Sequence, residues 1–158
     1  MEHLKELMRV KSWALMDVEY IQISKEHRCV RKLYMLAKDG YTERELEFFP
    51  CVPYSKMARR NKQSFHYCKI HIHKLPYYPQ VYASSCNTAL DKIRRFIDEN
   101  SIDFILYKGG EIEKDLCAEI GIPSYNIEYF DKDLENAYSH DPRTEVNCYY
   151  TQLVESIL

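Results

Sequence analysis

Glycine and proline are scarce in this chain, four and six among 158 residues. So low a content leaves no room for a long flexible linker or a Gly/Pro-rich disordered tract. An excess of one charge is also lacking. Lys and Arg total 22 against 24 Asp and Glu, and the net charge of −2 excludes a general attraction to nucleic acid, so any such surface must be local. No run approaches the ~18 consecutive apolar residues that a membrane-spanning helix needs. The opening Met1-Glu2-His3-Leu4-Lys5 lacks the apolar stretch of a secretory leader, which predicts an intracellular chain (cytoplasm or nucleus) with no membrane partner. The six cysteines, Cys29, Cys51, Cys68, Cys86, Cys117 and Cys148, include no Cys-x-x-Cys pair, and that scatter fits reduced thiols inside a cell.

What is present points to a folded α/β domain. Hydrophobic residues reach 46% and charged residues 29%, too apolar for intrinsic disorder, and the length fits a single domain over residues 1–158 with a sizeable core. The 14 tyrosines can fill a core or stack on bases, so their number favours neither. Residues 9–23 read as a long central strand, 29–37 as a second and 43–51 as a third, with Lys38-Asp39-Gly40 as the turn between the last two. After Asn87, a good helix N-cap, Leu90, Ile93, Phe96 and Ile97 fall at helical spacing to Asn100. Residues 102–107 read as a buried strand. Lys108-Gly109-Gly110 turns into a helix striped by Ile112, Leu116, Cys117 and Ile120 and capped by Gly121. A short strand at 124–129 and a helix from about Thr144 complete the order β-β-β-α-β-α-β-α, a mixed sheet with helices packed on it.

The chemistry centres on Asp17-Val18-Glu19, which ends the apolar run Trp13-Ala14-Leu15-Met16. Alternate residues of a strand share a face, so the two acids point the same way. Two carboxylates side by side in an apolar setting repel and resist desolvation, and a cation between them relieves both costs. Two further acids begin helices that this layout could bring near: Glu113 and Glu145, the latter five residues after His140.

In these motifs the chain resembles the DEDDh 3′-to-5′ exonucleases of the RNase H-like superfamily. Asp17-x-Glu19 matches the family's first motif. Glu113, with Leu116 and Cys117 three and four residues on, fits the second better than Asp115 does. His140 with Glu145 has the spacing of the third. Glu stands at 113 and 145 where the family usually has Asp, and Lys108-Gly109-Gly110 replaces the Asn often found before the second acid. The resemblance implies an RNase H-like fold and a nuclease that removes nucleotides from single-stranded RNA or DNA 3′ ends. Asp17, Glu19, Glu113 and Glu145 would hold two Mg²⁺ or Mn²⁺ ions, and His140 would be the general base, its ordinary pKa of about 6.5 suiting proton transfer near neutrality.

A basic loop, Lys56, Arg59, Arg60 and Lys62, with Tyr54 and Phe65 beside it, offers charges for phosphates and rings for bases. His66, Cys68, His71 and His73 have no standard zinc spacing and alternate in parity, so one extended strand cannot gather them. A second resemblance is to the Maelstrom domain, an exonuclease relative that lost the acids and holds zinc through Glu, Cys and His. Cys148, three residues after Glu145 with His140 close by, is what carries it. It implies the alternative function: an inactive RNase H-like module, zinc-stabilised, that binds nucleic acid or protein.

Overall fold

Leu4, Leu7 and Met8 fall at the i, i+3, i+4 spacing of one helical face, and Glu2–Val10 form helix α1. The strand expected from residue 9 therefore starts later, as β1, Trp13–Ser24. Residues 9 and 10 finish this helix, whose Leu4 and Met8 are buried, rather than opening the strand. The indole Nε1 of Trp13 donates to the carbonyl of Met8 at 3.1 Å and fixes the helix against the strand.

The computed structural model describes residues 2–24, 27–39, 42–48, 86–129, 134, 137 and 141–157. After β1 come β2 (His27–Asp39), β3 (Thr42–Phe48), α2 (Cys86–Asn100), β4 (Phe104–Tyr107), α3 (Glu111–Ile120), β5 (Ser124–Asn126), a single 3₁₀ turn (Ile127–Tyr129) and α4 (Pro142–Ile157). The expected order is present, with α1 added before it. Helix α2 begins ahead of Asn87, and α4 begins at Pro142 rather than near Thr144. Among the described residues no helix is long and apolar enough to cross a membrane.

The five strands lie in the order β3-β2-β1-β4-β5. Antiparallel pairing joins β1 to β2 and β2 to β3, while β4 runs parallel to both β1 and β5. Strand alternation divides the core in two. Ala14, Met16 and Val18 of β1, with Leu33 and Met35 of β2, meet Leu90 and Ile93 of α2 and Ile112 and Leu116 of α3. Trp13 and Leu15, with Tyr34 and Leu36, meet Leu4 and Met8 of α1 and Val146, Tyr149 and Leu153 of α4 on the opposite face. Burying each such side chain contributes about 1.5–3 kcal/mol, so strand register is strongly fixed on both faces.

Two caps decide where helices α3 and α4 begin and end. Gly121 adopts φ 85° after α3, and its N–H donates to the carbonyl of Cys117 at 2.9 Å. Asp141 caps α4, accepting from Thr144 N at 3.2 Å and from its hydroxyl at 2.8 Å. Pro142 follows at the first helical position, where its missing N–H costs nothing.

Candidate functional site

Asp17 and Glu19 share parity with Trp13 and Leu15, so both face the layer that holds α4. The Asp141-Pro142 cap starts α4 early enough that Glu145 falls in its first turn, above Asp17. Carboxylate oxygens of Asp17, Glu19 and Glu145 lie within 4.8 Å of one another, and all three side chains are half-buried. Residues 128 positions apart thus meet because the middle of β1 and the start of α4 face each other.

Burial and acidic neighbours suppress the ionisation of Glu19 and Glu145. Burial, then the charges of Asp17, Glu113 and Asp141, push Glu19 from 4.5 up to about 8. Glu145 is raised further, by burial first, then by a hydrogen bond to Asp17 and the charges of Asp17 and Glu19, with Lys108 opposing. Oxygen-only donors suit a hard dication such as Mg²⁺ or Mn²⁺ rather than zinc, so the residues present fit that class of ion.

Glu113 reaches the same neighbourhood from the opposite layer. It sits in the first turn of α3, 3% exposed, and its Oε1 accepts from the backbone N–H of Val18 at 3.1 Å. Gly110 makes room for it, since a Cβ there would collide with Oε2 and come within 2.9 Å of Cδ. Glu113 is not one of the acids gathered within 4.8 Å of each other. Asp115 is exposed on the outer side of α3.

Three residues outside the expected acidic set belong to the surroundings. Lys32 of β2 stands opposite Glu19 in register, is 8% exposed, and forms an ion pair with Asp141. Asp141 is buried enough to raise its pKa, yet the Lys32 ammonium and the Thr144 hydrogen bonds outweigh this and lower it. Lys108 at the end of β4 donates from Nζ to the Tyr149 hydroxyl at 2.9 Å and lies 4.5 Å from the centre of that ring. The Asp-Pro pair was a legible signal for the cap. Lys32 was legible only as a charge inside the apolar run Cys29–Ala37.

A cavity of about 230 Å³ opens beside the acids, its lining including Asp17, Lys108, Gly109, Glu128, Glu145 and Tyr149. Gly109 turns there with φ 83°. Its N–H and that of Glu128 both donate to Asn126 Oδ1 at 2.9 Å, which holds this part of the lining in shape.

His140, the basic loop Lys56, Arg59, Arg60 and Lys62, its aromatics Tyr54 and Phe65, and the His66, Cys68, His71 and His73 group lie outside the described residues. Cys148 is half-buried and outside the acidic group, and its Sγ accepts from Gln152 at 3.4 Å. No protein-family model matches the chain, and no curated protein matches it.

Proposed function

We propose that this chain is a divalent-cation-dependent 3′-to-5′ exonuclease on an RNase H-like fold, acting on single-stranded RNA or DNA ends. The carrying observation is the approach of Asp17, Glu19 and Glu145 to within 4.8 Å from β1 and the first turn of α4. The order of strands and helices around them supports the same reading.

Asp17, Glu19 and Glu145 would hold the divalent cation, and Glu113 is the fourth acid that the resemblance assigns to the site. When bound, the cation activates water and stabilises charge on the phosphoryl oxygens. His140 accepts the proton of the attacking water. The water oxygen bonds to phosphorus as the P–O3′ bond breaks, releasing a nucleoside monophosphate and a chain one unit shorter. The leaving oxygen takes a proton from solvent. The cavity beside Asp17 accepts the terminal nucleoside, and Lys56, Arg59, Arg60 and Lys62, with Tyr54 and Phe65, are the residues expected from the sequence to bind phosphates and bases of the strand.

One observation favours the alternative, an inactive binding module: Glu113 Oε1 is engaged by the Val18 N–H. Incubation of 3′-labelled single-stranded RNA and DNA with Mn²⁺, beside Asp17→Asn, separates the two. Stepwise loss of nucleotides by the wild type alone supports the nuclease. Binding without shortening by either protein supports the module. Stoichiometric, tightly held zinc on elemental analysis would count against a hard-cation site.

A further inference from the structure

The exonuclease resemblance implies two cations, whereas the described residues gather donors for one. Asp17, Glu19 and Glu145 form a single set. Glu113 approaches from the α3 layer, with Oε1 on the Val18 N–H and Oε2 fitted against Gly110. Asp141, a further described acid whose charge bears on Glu19, is ion-paired with the almost buried Lys32 and hydrogen-bonded to Thr144. Among the described residues, Glu113 Oε1 and both oxygens of Asp141 are thus engaged by the chain's own groups.

A positive charge nevertheless stands on the other side of the acids. Lys108 lines the same cavity as Asp17 and Glu145. Its ammonium is directed by the Tyr149 hydroxyl at 2.9 Å and by the face of that ring at 4.5 Å. The hydroxyl is itself fixed, since it also accepts from the N–H of Ala137 at 3.2 Å. An ammonium is a compact point charge suited to phosphate oxygens, and it keeps further donors to offer beyond the one Tyr149 takes. Leu15, Met16 and Val146 supply apolar parts of the same cavity wall.

Resting on the nuclease reading above, we infer that the site takes one divalent cation. The Lys108 ammonium supplies the second positive charge on the scissile phosphate.

The test counts Mn²⁺ on the full chain by loss of its free EPR signal, with Asp17→Asn as control. One Mn²⁺ per wild-type chain, abolished by Asp17→Asn, is expected. Two per chain overturn the single-cation inference and leave the nuclease reading standing. None overturns both. Lys108→Met removes a cation beside Glu145, so it should bind its one Mn²⁺ about two- to tenfold more tightly. The same variant should hydrolyse 3′-labelled single strands about 100-fold more slowly or worse. Lys108→Arg, which keeps the charge, should recover most of that rate. Tighter metal with slower turnover is a combination that a misfolded variant would not give. Undiminished turnover by Lys108→Met would overturn the role of Lys108.

Discussion

Glu113 Oε1 accepts a hydrogen bond from the backbone N–H of Val18, 3.1 Å away, between the two acids of β1. The bond joins the α3 layer to the strand segment that carries Asp17 and Glu19. Its loss would leave a buried donor unsatisfied, so Glu113→Ala should lower stability by about 1–3 kcal/mol in urea unfolding. Glu113→Gln keeps an acceptor oxygen and should cost less than half as much. If Glu113→Gln also keeps Mn²⁺ binding, Glu113 is a support for β1 rather than a ligand.

Gly110 and Glu113 should be energetically coupled. Gly110 has φ −56°, which any residue adopts, so only the collision of a Cβ with the Glu113 carboxylate makes glycine necessary. Gly110→Ala alone should therefore be destabilising. With Glu113→Ala in the background the same change should approach neutrality or become favourable, giving a coupling of about 1 kcal/mol or more in a double-mutant cycle. Additive effects would rule this contact out as the reason for Gly110.

Stability without metal should fall as pH rises. The folded-state pKa of Glu19 lies above the unfolded value, at about 8 against 4.5. Below 4.5 both states hold the proton and the full stability is present. Between the two values the folded chain keeps a proton the unfolded chain has released, so folding weakens with each step up in pH. Glu145, raised in the same direction, extends the decline to higher pH. The urea midpoint in EDTA should drop from about pH 5.5 to 8.5, and saturating Mn²⁺ should flatten the drop. A midpoint in EDTA that holds or rises over that range would contradict the described crowding of acids.

Asp141 has two tasks that substitutions can separate. Asp141→Ala loses the cap of α4 and the partner of Lys32, and should cost about 1–3 kcal/mol. Asp141→Asn retains capping and should recover about half. Lys32→Met replaces a nearly buried ammonium by an apolar chain of similar length, so in the Asp141→Asn background it should restore stability further.

Asp17 and Glu19 could be placed from the sequence because Trp13 to Met16 defines a buried strand and period 2 is unambiguous there. Gly121 was equally plain as a helix end. Helix α1 was not, although Leu4, Leu7 and Met8 have helical spacing, because a strand begun at residue 9 starts inside the last turn of the helix. That Glu145 would meet Asp17 rested on element order, whereas the distance rests on the exact start of α4 at Pro142. The inward turn of Glu113 was invisible, because it depends on the missing Cβ of Gly110 rather than on any spacing of acids. The Lys32–Asp141 pair joins positions 109 residues apart, and no local pattern encodes such a partner.

The chain has one tryptophan, and Trp13 stacks on Tyr150 with ring centres 4.7 Å apart. Its neighbour in the stack belongs to the helix whose first turn bears Glu145, and its own strand bears Asp17. The indole is therefore a built-in optical gauge of whether those two elements are docked. Its emission follows the assembly of the acidic centre without a label, in the same cuvette in which metal is added.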